Sequence, residues 1–107
     1  MVDDDADCIA VQELVWIERD LPETSLTVRI WRPHRDVRHG TTWRCPVEID
    51  GLQQKLEIGG DGSVQALSLA VSLAYQRLTH LLAKGRLLHP TSRGEFTDET
   101  LRALFGR

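Results

Sequence analysis

The sequence lacks the features that would assign it to several large functional classes. No apolar run reaches the roughly 18 residues that a membrane-spanning helix needs, because polar residues interrupt the most apolar stretch. The first seven residues are acidic and have neither the basic nor the apolar region of a secretory signal, so we expect a cytoplasmic protein. In that compartment the only two cysteines, Cys8 and Cys45, are expected to be reduced thiols packed as small hydrophobic side chains.

Motifs of enzymes and metal sites are also absent. The chain has no Cys-x-x-Cys or His-Glu-x-x-His pattern, and its four histidines do not form the close-spaced pairs that structural zinc requires. The glycine-rich segment at residues 59–63 lacks the lysine and the spacing of a phosphate-binding loop. We therefore expect no metal, no cofactor and no enzymatic activity. An enzyme that uses His34 or His39 is the third-ranked alternative.

Length and composition indicate one globular domain. The chain has 107 residues, of which 41% are hydrophobic and 27% charged, values that are ordinary for a soluble domain. Four aspartates crowd residues 3–7, so the net charge of −3 is concentrated at the start and the rest is almost neutral. We predict a disordered acidic leader over residues 1–7, followed by a single α+β domain over residues 8–107.

Four segments rich in β-branched and aromatic residues predict strands. They span residues 8–19, 25–32, 42–49 and 52–58. Between the last two, Asp50-Gly51 favours a two-residue type I′ turn, which needs positive φ at both positions. That turn would place four pairs of residues opposite one another: Ile49 and Leu52, Val47 and Gln54, Cys45 and Leu56, and Trp43 and Ile58.

This register has two consequences for the third strand. Arg44 would lie opposite Glu57 as an attractive cross-strand pair. Pro46 has no N–H to donate, and its nitrogen would point toward the second strand. We therefore expect a bulge or a break in pairing at Pro46.

Residues 61–84 predict one long amphipathic helix, because apolar side chains recur there with a helical period. Asp61 or Ser63 is expected to cap its start, and Gly85 is expected at the C′ position. A short helix is expected over residues 98–105. The arc of the long helix that should face the core consists of Val64, Leu67, Val71, Ala74, Tyr75, Leu78, Leu81 and Leu82.

A second apolar strip on this helix, which packing against a single sheet does not require, consists of Ala66, Leu69, Ala70 and Leu73. Exposed apolar strips mark contact surfaces, and two alternatives stay open for this one. Either the C-terminal segment folds over it, or a partner chain or a second copy does. The apolar residues of that C-terminal segment are Leu88, Phe96, Leu101 and Phe105.

The fold class that follows is α+β: an antiparallel sheet of about four strands in a meander, with one long helix packed on one face and a short C-terminal helix.

An arginine-rich segment, residues 29–44, is the strongest candidate for a binding site. It contains a single acid, Asp36, and tryptophans flank its loop. Arginine near aromatic rings suits phosphate and base stacking, or a carboxylate-rich protein surface. The alternative is a solvated hairpin whose arginines pair with Glu13, Glu18 or Glu57. The candidate binding residues are Arg29, Trp31, Arg32, His34, Arg35, Arg38, His39 and Arg44.

The stretch from the third strand into the long helix resembles a family of small bacterial proteins that is known only as a domain of unknown function. Trp43 and Cys45 match its Trp-x-Cys strand. The family's Ser-x-Gln-Ala-Leu helix start is matched by Ser63, Gln65, Ala66 and Leu67, whereas Gly62 replaces the aspartate expected before the serine. The resemblance implies a sheet followed by a helix and implies no activity.

Together these patterns favour a small non-enzymatic, cytoplasmic protein-binding module, comparable to bacterial immunity or accessory proteins. Its partner would be another protein or a second copy of the chain, and no membrane is expected. The alternative is binding of nucleic acid or another polyanion through the arginine-rich segment.

Overall fold

The computed structural model describes residues 7–40 and 42–107. Nearly all of the predicted leader therefore lies outside the described residues. Asp7 lies inside them, and its carbonyl oxygen accepts a hydrogen bond from the Arg32 backbone nitrogen at 2.7 Å. The elements are β1 (Cys8–Ile17), β2 (Thr24–Trp31), β3 (His34–Arg35), β4 (Trp43–Asp50), β5 (Gln53–Gly60), α1 (Ser63–Leu82), β6 (Arg86–Leu88), β7 (Glu95–Phe96) and α2 (Asp98–Phe105).

The strands form one antiparallel sheet with two helices, which confirms the α+β class. The four longer strands follow the predicted meander, since β1 pairs with β2, β2 with β4, and β4 with β5. The expected count of about four strands is wrong, because the described residues form a sheet of seven. The additional strands β3, β6 and β7 are two or three residues long, too short to show a period of two in sequence.

The hairpin of β4 and β5 forms, but its predicted register is wrong. Cys45 lies opposite Ile58 and Val47 opposite Leu56, with a bulge between Val47 and Ile49. The turn is not type I′, because only Gly51 has positive φ, at 99°. Most of the ladder is displaced by two residues from the prediction. An even displacement keeps Cys45, Val47 and Ile58 on the core side of the hairpin. Leu52 and Leu56, which were predicted on the same buried face, are 44% and 39% exposed.

The predicted Arg44–Glu57 pair is consequently wrong as well. Arg44 lies opposite Gly59, and Glu57 lies opposite Pro46. Each of the two charged side chains has a different partner, described below with the binding surface.

The predicted break at Pro46 is confirmed. Pairing of β2 with β4 stops at Ile30 and Val47, and β3 resumes it at His34 and Arg44. The next position of the register would bring Trp31 opposite Pro46, which has no N–H to donate. The Trp31 carbonyl oxygen instead lies 3.4 Å from the Sγ of Cys45, which donates to it.

The long helix packs on the sheet through small residues, and the predicted core arc is correct only in part. Ala74, Leu78 and Leu81 are buried, and four further members of the arc pack against the core at its edge: Leu67, Val71, Tyr75 and Leu82. The buried residues of α1 are Ala66, Ala70, Ala74, Leu78 and Leu81. Val64, expected in the core, is 80% exposed. The buried face is thus rotated by roughly 65° from the predicted one, because alanines contribute little to an apolar pattern that large side chains dominate.

The second strip is therefore not a free partner surface. Ala66 and Ala70 are fully buried against the sheet, Leu73 is half-buried at the edge of the same core, and only Leu69 is exposed. The strip was predicted to be covered either by the C-terminal segment or by a partner chain or second copy. Both alternatives are wrong for Ala66 and Ala70, because the sheet covers them.

The C-terminal helix packs beside α1. Thr97 caps α2 with a capping box completed by Thr100, and Leu101 is fully buried. The Tyr75 hydroxyl donates to Asp98 at 3.0 Å, and its ring lies 6.5 Å from the Phe105 ring. α2 therefore covers the flank of α1 that was predicted to face the sheet.

Both ends of α1 differ from prediction. Its N-cap is Gly62, without a side-chain hydrogen bond, and β5 extends through Gly60. A Cβ on Gly60 would lie 2.6 Å from the Ala66 backbone nitrogen, so Gly60 lets the first turn of the helix approach the strand. Gly85 does not have positive φ. It is required by packing, because a Cβ there would lie 2.3 Å from the Ile17 carbonyl oxygen.

We predict that Gly85→Ala lowers the free energy of unfolding by about 1–3 kcal/mol, because the added methyl group overlaps backbone and the Trp16 ring. Gly94→Ala is the matched control, since its nearest neighbour would be the Ser92 hydroxyl at 3.4 Å, and it should change stability by less than about 0.5 kcal/mol. Urea unfolding of both variants gives the comparison. Equal stability of the two would contradict the close approach at Gly85.

Candidate binding surface

The arginine-rich segment is held to the sheet at its middle by Asp36. One carboxylate oxygen of Asp36 accepts from the Arg38 backbone nitrogen at 3.1 Å, and the other accepts from the Arg44 Nε at 3.3 Å. The Asp36 backbone nitrogen donates to the Thr42 carbonyl oxygen at 2.8 Å. Together with β3, these bonds give the connection between β2 and β4 a defined shape.

Three of the predicted site residues are bound to acids of the same chain. Arg29 lies 3.2 Å from Glu48 and 3.6 Å from Asp50, and Arg44 pairs with Asp36. His34 Nε2 lies 2.7 Å from Glu57 Oε1. Internal pairing therefore occurs, but not with the predicted partners. Among the described residues no arginine of this segment pairs with Glu13, Glu18 or Glu57, and Glu57 binds His34 instead.

Three other arginines point into solvent. Arg32, Arg35 and Arg38 are exposed, and within residues 7–40 and 42–107 no acidic side chain pairs with them. We call these three residues the arginine surface. The backbone of His39 lies in a 3₁₀ turn next to Arg38, whereas its side chain lies outside the described part of the chain.

The two tryptophans of this region are not free to stack on a ligand. Trp31 is 6% exposed, and the Lys55 Nζ lies 4.1 Å from its ring centroid. Trp43 is half-buried and packs against the hydrophobic core. Neither ring offers an open face like those on which single-stranded nucleic acid stacks.

A shallow depression of about 280 Å³ lies beside His34. The pair formed by His34 and Glu57 lines it, together with Asp7, Trp31, Arg32, Pro46 and Lys55. A histidine oriented by a carboxylate can accept a proton. Both side chains are half-exposed, however, and the lining contributes no hydroxyl or thiol that could act as a nucleophile.

The described residues offer few other sites for chemistry. No three His, Cys, Asp or Glu side chains among them come together in an arrangement that could hold a metal ion. Neither described helix has the length and apolar content needed to cross a lipid bilayer.

The two cysteines are free thiols in different environments. Cys45 is fully buried and Cys8 is half-buried at the start of β1. Burial raises the pKa of the Cys45 thiol from 9.0 to about 11, because the charged thiolate is disfavoured away from water. Since the thiolate is the nucleophilic form, Cys45 is a structural residue.

A second surface, at the start of β1, was not predicted from the sequence. Ile9 and Val11 are exposed there, as is Leu104 of α2, and an apolar cleft of about 290 Å³ lies between the two elements. No residue pattern within β1 indicates this surface, because the surface depends on how far β6 extends along β1.

Comparison with known proteins gives one match. The model of a protein family described as Domain of unknown function (DUF6968) matches residues 12–95. The predicted resemblance to an uncharacterised domain family, based on Trp43, Cys45 and the start of α1, is thus confirmed. Neither a curated protein nor a solved structure matches the chain.

We predict that the two thiols differ in reactivity. Under native conditions near pH 8, a thiol-specific chromogenic reagent should modify Cys8 readily and Cys45 only after denaturant is added, because Cys45 is buried and protonated. Mass spectrometry of the digested protein locates the label. In Cys8→Ser the native protein should remain unlabelled, and rapid labelling of that variant would contradict the buried environment of Cys45.

Proposed function

The chain belongs to the DUF6968 family, and we propose that it is a non-enzymatic protein-binding module whose arginine surface recognises an acidic segment of a partner protein. In this proposal it is an immunity- or accessory-type protein of the cytoplasm, where its two free thiols stay reduced.

The proposal rests on a difference among the cationic side chains of residues 29–44, some of which bind acids of the chain while others point into solvent. Arg29, His34 and Arg44 are bound to acids of the chain, whereas no acid among the described residues pairs with the exposed arginines of the arginine surface. A guanidinium binds a carboxylate with two parallel hydrogen bonds. Three such groups on one fixed segment therefore suit a short run of Asp or Glu.

Nucleic acid is the less well supported ligand. Three phosphate contacts are few compared with the six to ten or so that give strong binding. The formal net charge of the whole chain is −3, which weakens long-range attraction to a polyanion. Trp31 and Trp43 also offer no open stacking face.

The alternative of a histidine-based enzyme also has less support. The pair of His34 and Glu57 provides a base and its orienting group, but water reaches both side chains. General-base catalysis gains most where the site excludes water and holds its groups rigidly. We therefore treat the pair as a structural link between β3 and β5.

We predict that Arg35→Glu combined with Arg38→Glu abolishes binding of the partner protein, because two favourable ion contacts become repulsive. The measurement is affinity capture from the cells of origin, with the captured protein identified by mass spectrometry and its binding then measured with purified components. Arg19→Glu combined with Arg77→Glu is the matched control, since both arginines are exposed outside residues 29–44 and the charge change is the same. Equal loss in both double variants would reject the arginine surface as the binding site.

We further predict no significant binding to a single-stranded DNA or RNA of about 20 nucleotides, longer than a typical single-stranded site, as measured by fluorescence anisotropy at low salt. If three phosphates were contacted, the logarithm of the binding constant would fall with the logarithm of salt concentration with a slope of about −2. Binding with that slope, lost in Arg35→Glu combined with Arg38→Glu, would favour nucleic acid over a protein partner.

A further inference from the structure

The first half of β1 has a strand on only one side. β2 pairs with β1 along its whole length, whereas β6 pairs only with Val15, Trp16 and Ile17. Within the described part of the chain, no strand occupies the other edge of residues 8–14. An open edge presents unpaired backbone N–H and C=O groups to any extended segment that can align with it.

An apolar cleft lies directly against this edge. Its volume is about 290 Å³, and its lining includes Ala10 and Gln12 of β1, Ile30 of β2, Val71 of α1, and Leu104 and Phe105 of α2. Leu104 is 43% exposed, although it lies on the flank of α2 that borders the cleft. Open backbone and an adjoining apolar pocket are the two components by which proteins bind an extended peptide as an added strand.

The size of the cleft restricts what can occupy it. Pockets for small molecules and cofactors span about 300–1,000 Å³, so this cleft is at the lower limit. One or two apolar side chains would fill it. Such side chains would project from a strand aligned with β1, which favours a peptide segment over a free small molecule.

A second copy of the chain does not fit this edge. Two identical edges pair in antiparallel fashion about a two-fold axis normal to the sheet, which keeps the same face of both copies on the same side. Leu104 and Phe105 place α2 over the face beside β1. The α2 helices of both copies would then meet over the axis, whereas a segment without a helix of its own avoids this overlap.

The charges along the edge indicate the composition of that segment. Residues 7–14, which form the open edge and the position before it, contain Asp7 and Glu13 and no lysine or arginine. Complementary charge on the segment would add favourable contacts and select its register. Basic residues are therefore expected on either side of its apolar side chain.

We propose that the open edge of β1 binds an extended segment of a partner protein, with an apolar side chain in the cleft under Leu104 and lysine or arginine residues flanking it. This surface is separate from the arginine surface. It prefers a basic segment, whereas the arginine surface prefers an acidic one. The two proposals can therefore fail independently.

The probe is a phage-displayed library of random peptides, selected on the wild-type protein. Enriched peptides should share an apolar residue with flanking basic residues, and proline should be absent between them, because it cannot donate to a strand ladder. A synthetic peptide of the enriched sequence should shift the NMR signals of Ala10, Val11 and Gln12. It should slow amide hydrogen exchange only for those N–H groups that point to the open edge, because successive N–H groups of a strand point to alternate edges. Failure to enrich any such sequence would overturn the proposal.

Leu104→Lys should weaken the selected peptide at least tenfold, since it replaces an apolar wall of the cleft with a charge that repels a basic segment. Leu69→Lys is the matched control, because Leu69 is 45% exposed, as against 43% for Leu104, and lies on the opposite flank of α1. The affinity of this variant for the peptide should change less than about twofold. Thermal unfolding verifies that both variants fold. Three results would each overturn the proposal. The first is equal peptide affinity of the two variants, and the second is NMR shifts confined to residues outside β1 and α2. The third is a dimer, seen by sedimentation, that the peptide does not displace.

Discussion

The close packing of α1 on the sheet is the interaction on which the remainder of the structure depends. Ala66, Ala70 and Ala74 are fully buried, and Gly60 has no room for a side chain beside Ala66. Small residues on both surfaces bring the helix close to β4 and β5, and the larger side chains then fill the space on either flank. One flank is completed by α2 through Tyr75 and Phe105. The other extends along Leu69 and Leu73 at the edge of the core.

This arrangement explains which parts of the fold the sequence could predict. Strand alternation and helical period identify the four longer strands and both helices, because each burial pattern repeats several times within its element. The rotation of α1 about its own axis could not be predicted. An alanine contributes little to an apolar sequence pattern, and its importance here is that it lets the helix backbone approach the sheet closely. β3, β6 and β7 could not be predicted either, because their pairing depends on partners distant in sequence, such as Leu88 with Val15.

The binding surface was predictable only as a set of residues. The sequence shows seven cations and imidazoles in residues 29–44, but it cannot show which of them find acids across the sheet. The displaced register of β4 and β5 brings Glu57 to His34 and leaves Arg44 with Asp36. Charge density in a segment is therefore a poor measure of available charge. The open edge of β1 was hidden for the opposite reason, since nothing in its own residues reports that β6 is short.

The pairing of β1 with β6 also has a consequence for the order in which the molecule can assemble. β4, β5 and α1 follow one another directly, so they can fold from local contacts. β6, which lies far along the chain from β1, reaches it only after α1 has crossed the sheet. During synthesis the ribosome therefore releases a β1 strand whose outer edge stays unpaired along its entire length until residues 86–88 emerge. Open edges can pair with the wrong strand, so a nascent chain exposes residues 8–17 to such pairing during that interval. The open edge of residues 8–14 in the finished molecule is the part of it that β6 does not cover.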